Sequence, residues 1–387
     1  MNAKDMLTNP HFCPIPWTGL MYNFDGTVKN CIRSSQPLGN ICENPIEDIL
    51  LGQQNLRAQT NIDHAQPVAG CQPCYHLERG KSGHDIISDR IFYLRELKQV
   101  PVETYVPGNF DLQTVDVRWT NLCNFACVYC GPHYSSRWAN ELNVNIPTPA
   151  LAQQQSFKQY ILDQAPKLKH VYLAGGEPLL MRENLDLLDR VSPDVQIRVN
   201  TNLSKTDTRV FERICEFENV HWTVSVESMQ QQFEYIRFGG SWTDFVTNLK
   251  HIQTLDHRIS FNMIWFVLNA FSVFDCVDYL KSLGFHNNSF VIGALLGPQH
   301  LNIRHLPKNV LQSLQEILEE RIAQQPGYLL QDSYQNMQHY IQQPFDADLA
   351  GCFLKLQEMD LRRGTSSTEI FTDLYQLREE DKHGKTI

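Results

Sequence analysis

Between residues 112 and 300, six short apolar runs alternate with amphipathic stretches of helical period, and this constrains the fold more than any other feature. The runs are Val115–Trp119, His170–Leu173, Gln196–Asn200, His221–Val226, Ile259–Leu268 and Ser289–Ala294. Between them, Leu185, Leu188 and Val191 form one apolar stripe, and Val210, Phe211, Ile214 and Phe217 another. Trp242, Phe245, Val246, Leu249 and Ile252 repeat the spacing behind Ser241, a plausible N-cap. A strand that feeds a helix and then another strand builds a parallel sheet, so six such units predict an α/β fold, and a partial barrel is one way to curl it.

Residues 1–98 are short segments broken by Gly, Pro and Asn, and they hold five of the eleven cysteines. The connector Val100–Asn109 carries two prolines and a glycine, which mark a boundary. The strand–helix zone then spans 110–304. Residues 305–387 read as helices and end in a polar tail from Arg378 to Ile387.

A net charge of −10 disfavours extensive nucleic-acid binding, because holding phosphates calls for a basic excess. No run of about 18 apolar residues signals a membrane span. The first residues lack the cationic start and apolar run of a secretory signal, so a cytoplasmic location is expected. Disulfides rarely persist there, which makes metal ligation the first explanation for the cysteines and buried apolar thiols the alternative.

Cys123, Cys127 and Cys130 have the spacing Cys-x3-Cys-x2-Cys and follow the first strand of the alternating zone directly. Active sites of such folds form from loops at the carboxyl ends of strands. Three thiolates on one loop can hold three corners of a [4Fe–4S] cluster and leave the fourth iron open. A structural zinc site is the alternative, with His133 as a fourth ligand.

This spacing, with aromatic Tyr129 before the last cysteine, resembles the signature of the radical S-adenosylmethionine (SAM) superfamily. Gly175-Gly176-Glu177-Pro178 follows the second strand and resembles that family's loop for the SAM amino group. Backbone groups exposed by two glycines, beside a carboxylate, suit an ammonium. The resemblance implies a partial (β/α)6 TIM-type barrel with a [4Fe–4S] cluster and SAM as cofactors. It also points to Ser225 and Glu227 at the ribose or methionine moiety, and to Arg237 as the partner of the SAM carboxylate. A surface ion pair is the alternative for Arg237. Asn202, after the third strand, would reach the site or cap the next helix. Asn200, Asn269 and the 291–295 segment are further candidates, the last two for adenosine.

The order Cys13, Gly26, Cys31, then Cys71-Gln-Pro-Cys74 is similar to the auxiliary-cluster module called SPASM, or its shorter form, twitch. No cysteine follows Cys74 until Cys123, so one auxiliary [4Fe–4S] cluster on Cys13, Cys31, Cys71 and Cys74 is implied. The module usually follows the barrel, whereas here it precedes it. A zinc knot from the same thiols is the alternative. Cys42 reads as a nearby structural thiol, and Cys215, Cys276 and Cys352 as small buried hydrophobes.

The family's chemistry is reductive SAM cleavage to methionine and a 5′-deoxyadenosyl radical, which takes a hydrogen atom from the substrate. A reductant such as flavodoxin or ferredoxin is implied, and full cysteine ligation would suit the auxiliary cluster to electron transfer. The first 95 residues hold no winged-helix peptide-docking domain, which favours a small or carrier-borne substrate over a peptide. Modification of tRNA, a non-catalytic Fe–S scaffold and a zinc-dependent binding module are the other readings.

Overall fold

The computed structural model describes residues 9–79, 88–96, 102–324 and 328–382. The boundary expected at 98, the start of the connector and the last five residues of the polar tail lie outside them. Among the described residues nine strands occur: β1 (Gly19–Asn23), β2 (Thr27–Lys29), β3 (Gly39–Asn40), β4 (Thr114–Arg118), β5 (His170–Leu173), β6 (Gln196–Thr201), β7 (Val220–Ser225), β8 (Arg258–Trp265) and β9 (Phe290–Ala294). The last six coincide with the six apolar runs to within a few residues at their ends. The chain forms two compact units: 1–122, 145–200 and 207–221 make the first, and 123–144, 201–206 and 222–387 the second. This division cuts across the three linear segments read from the sequence.

In the first unit the strand order is β3-β2-β1-β4-β5-β6. β1 and β2 are antiparallel, whereas β1 pairs in parallel with β4 through the register Gly19–Thr114 to Asn23–Arg118. β5 joins β4 in parallel and β6 joins β5. Val115, Val117, Val171, Leu173, Ile197 and Val199 are buried, as strands covered by helices require. Phe12, Trp17, Ile62 and Tyr105 form a buried cluster beside Cys13, with the Phe12 and Tyr105 rings edge to face.

In the second unit β7, β8 and β9 are neighbours, and β8 runs parallel to β9 from Phe261–Phe290 to Trp265–Ala294. Helices Gln230–Ile236, Trp242–Gln253 and Ser272–Ser282 accompany these strands. The Ser241 hydroxyl accepts from Asp244 N, so it caps the Trp242 helix as expected. The end of the chain is helical: Lys308–Gln324, Tyr328–Ile341, Leu349–Arg363, Ser367–Ile370 and Thr372–Lys382. Cys276 and Cys352 are buried, but Cys215 is half-buried because it ends its helix at the stripe's edge. Among the described residues no helix is long and apolar enough to cross a membrane.

Candidate active site

In the second unit, the loop that follows β4 in the chain carries Cys123, Cys127 and Cys130. Its backbone is clamped on both sides. Ala126 N donates to Phe238 O and Val128 N to Ile236 O, each at 2.8 Å. The Ser136–Leu142 helix holds the other side: Ser135 Oγ donates to Phe125 O at 2.6 Å, Cys123 N to Ser136 Oγ at 3.1 Å, and Trp138 Nε1 to Cys127 O at 2.8 Å. Five backbone positions of the loop are therefore fixed by partners, so the thiols stand in a preset arrangement rather than on a free loop.

Two side-chain donors face the sulfurs. Asn202 Nδ2 lies 4.0 Å from Cys123 Sγ and is steered by Asn124 Oδ1 at 3.1 Å. Arg237 Nη1 lies 4.0 Å from Cys127 Sγ. Burial pushes the Cys127 thiol up, Arg237 pulls it back, and Cys130 and Cys123 push it further. Burial also raises Cys130. Cys127 thus senses both other thiols, and N–H donors aimed at sulfur suit thiolates that ligate a cluster. Among the described residues no three His, Cys, Asp or Glu side chains meet around a single-ion position.

Tyr129, Glu227 and Arg237 form a closed network. Arg237 Nε donates to Glu227 Oε2 at 2.7 Å, and Nη2 donates to Glu227 Oε1 and to Tyr129 Oη, both at 2.8 Å. Tyr129 Oη donates to Glu227 Oε1 at 2.9 Å. The pair is 3% and 1% exposed, so it is not the surface ion pair that was the alternative for Arg237. Arg237 spends Nε and Nη2 on Glu227. Asn269 Nδ2 donates to Glu227 O at 3.0 Å and so acts on this network. Ser225 is half-buried at the end of β7.

In the first unit the Gly-Gly-Glu-Pro loop follows β5. Gly175 has φ +115°, a left-handed conformation that glycine adopts without strain. A Cβ on Gly176 would collide with the Leu122 carbonyl, and Glu177 N donates to that same oxygen at 2.7 Å. Glu177 is fully buried, and one carboxylate oxygen accepts from Leu179 N at 3.2 Å. Asn184 anchors the loop by donating to Pro178 O and accepting from Trp119 Nε1. At the end of β6, the buried Asn200 Oδ1 has no hydrogen-bond partner. A cradle that a Cβ would fill and an orphaned acceptor nearby in the strand order both fit a bound polar ligand.

Also in the first unit, Cys13, Cys31, Cys71 and Cys74 come together. Burial raises the Cys13 thiol well above its usual range, with Cys71, Cys31 and Cys74 adding repulsion. Burial followed by Cys71 pushes Cys31 to about 12, and burial followed by Cys74 pushes Cys71 to about 11. Without a metal these thiols hold their protons, so loading releases them. Cys42 is exposed and stands apart from this set.

Sequence reading missed Asn124 and Trp138. Asn124 meets Asn202, 78 residues onward, and Trp138 meets the Cys127 carbonyl, 11 residues back, contacts that local patterns do not reveal. Ser135 had a signal, since a serine opening a helix is an ordinary N-cap, and its hydroxyl does accept from Trp138 N.

Residues 117–269 match the family model described as Radical SAM superfamily. It is 32% identical over 92 residues to the GTP 3′,8-cyclase of Nautilia profundicola, covering 23% of this chain and 27% of that protein. It is 36% identical over 77 residues to the 7-carboxy-7-deazaguanine synthase of Clostridium acetobutylicum, covering 20% and 31%. The chain thus matches under a third of the length of these curated relatives. Among solved structures, native anSMEcpe with bound AdoMet aligns over 55% of this chain and 61% of that one, with 15% identity and a TM-score of 0.41. Streptococcus suis SuiB bound to S-adenosylmethionine aligns over 70% and 63%, with 13% identity and a TM-score of 0.39.

Proposed function

We propose that the chain is an enzyme that cleaves SAM reductively at a [4Fe–4S] cluster on Cys123, Cys127 and Cys130, and abstracts a hydrogen atom from its substrate. The observation that carries this reading is the clamped three-thiol loop with N–H donors facing two of its sulfurs. The family match over the same residues supports it. When bound, the cluster supplies one electron to SAM, whose cleavage yields the 5′-deoxyadenosyl radical. The chain's own residues do the rest. Asn202 and Arg237 orient the thiolates, Gly175 and Gly176 open the backbone for the SAM amino group, and Glu177 contributes negative charge there. Packing such as that of Val226 and Phe266, both fully buried, keeps water from a radical that would react with almost anything nearby.

The four N-terminal thiols would hold an auxiliary [4Fe–4S] cluster that takes an electron from the substrate radical, in a twitch-like arrangement placed before the barrel. A flavodoxin- or ferredoxin-type protein in the cytoplasm would reduce the first cluster. A cavity of about 490 Å³ beyond β8, with Leu268, Phe271 and Val310 in its wall, is of small-molecule size. It supports a small or carrier-borne substrate over a long peptide. The wall has an independent tie to the network, because Ser272 hydrogen-bonds Ser228, the neighbour of Glu227.

Anaerobic reconstitution with iron and sulfide, followed by dithionite and SAM, tests the proposal. About eight irons per chain are expected from two cubes, with 5′-deoxyadenosine released. Loaded protein that never cleaves SAM would overturn it and favour an Fe–S scaffold. In Cys71→Ala, iron should fall by about four per chain while 5′-deoxyadenosine still forms.

Gly176→Ala tests the cradle. Overpacking against the Leu122 carbonyl costs about 1–3 kcal/mol, so SAM should bind about five- to 150-fold more weakly. Equilibrium dialysis with the loaded variant reads this directly, and unchanged affinity would remove the loop from the SAM site.

A further inference from the structure

The two sulfurs that meet side-chain donors meet donors of different charge. Cys123 faces the neutral amide of Asn202, whereas Cys127 faces a guanidinium, both at 4.0 Å. The second contact is fixed by main chain on both sides. Residues 126 and 128 of the cysteine loop pair with 238 and 236, which places Cys127 directly opposite Arg237. Arg237 N in turn donates to Phe233 O at 2.7 Å. The guanidinium cannot swing away, because Nε and Nη2 are held by Glu227 and Tyr129, and Nη1 is the end left for sulfur.

We infer that Arg237 is a positioning residue that raises the reduction potential of the cluster held by Cys127, and that Glu227 sets how much of its charge the cluster feels. The inference rests on the proposed cluster at the cysteine triad. Reduction adds one negative charge to a buried group, and a cation donating a hydrogen bond to a ligating sulfur favours that reduced state. Glu227 opposes this, since its carboxylate neutralises the guanidinium from the far side. The effect is strong because the pair is buried, where charges are screened far less than in water.

The two residues therefore predict shifts of opposite sign. The measurement is the midpoint potential of the reconstituted full chain, by dye-mediated titration followed by electron paramagnetic resonance. A Cys71→Ala background keeps a second cluster from overlapping the signal. Arg237→Gln should move the midpoint to more negative values, and Glu227→Gln to more positive ones. General loosening of the site would not separate the two in this way. Equal potentials for all three proteins, or shifts in the same direction, would overturn the inference. Where Arg237→Gln does not retain iron, Arg237→Lys replaces it. Its point charge cannot span Glu227 and Cys127 together, so its midpoint should also fall below the parent value, and an unchanged value would overturn the inference. Failure of the parent protein to bind iron at the triad sinks the proposed function instead, so the two failures are distinguishable.

Discussion

Replacing Cys127 with alanine should abolish 5′-deoxyadenosine formation, a loss beyond a thousandfold, and remove about four of about eight irons per chain. The size follows from the ligand count. Three thiolates hold three irons of a cube, and each must be present for the fourth to stay open to SAM. Two remaining thiolates lack the coordination to retain the cube. Backbone contacts of the loop survive the change, because Ala126 and Val128 pair through main chain and Trp138 Nε1 donates to the carbonyl of residue 127. The variant should therefore fold and keep iron at the N-terminal thiols, whose environment lies in the other compact unit. Iron analysis with product assay by chromatography checks both parts. Residual SAM cleavage at parental rate would mean the chemistry is carried elsewhere. Cys276→Ala is the control: its thiol is buried and donates to Ser228 O at 3.6 Å, and iron and activity should both stay near parental.

What could be read from sequence was whatever local period and spacing encode. β4 to β9 were legible because each is an apolar run bounded by turn residues and followed by a helix-period stripe. The Cys123, Cys127 and Cys130 triad stood out because its spacing is local. β1 was not. Its residues, Gly-Leu-Met-Tyr-Asn, show no alternation, and four of the five are buried. Pairing with β4, some 95 residues onward, places it inside the sheet beside its local partner β2. That pairing is also why the N-terminal cysteine segment shares a sheet with β4 to β6, which a linear division of the chain could not show. Arg237 was singled out as functional, yet its partner was invisible. Glu227 lies ten residues before it and Tyr129 over a hundred before, and nothing in sequence distinguishes a buried fork from an exposed one.

That buried fork has a second consequence, for stability. Glu227→Leu should cost about 3–5 kcal/mol of folding free energy, read in the metal-free protein as a lower midpoint of urea unfolding. Arg237 is 3% exposed, so deleting its carboxylate partner leaves a charge with neither water nor counter-ion. Tyr129 does not compensate. Its hydroxyl hydrogen, now donated to Glu227 Oε1, would lose its acceptor as well. The double variant Glu227→Leu, Arg237→Met removes the stranded charge and should recover much of the loss, since apolar replacements of a buried ion pair are often close to neutral. Recovery in the double variant identifies an uncompensated charge as the cause. No recovery would assign the loss to packing around Glu227 and Asn269. The same comparison separates stability from redox tuning, because the double variant restores the fold while leaving Cys127 without its cation.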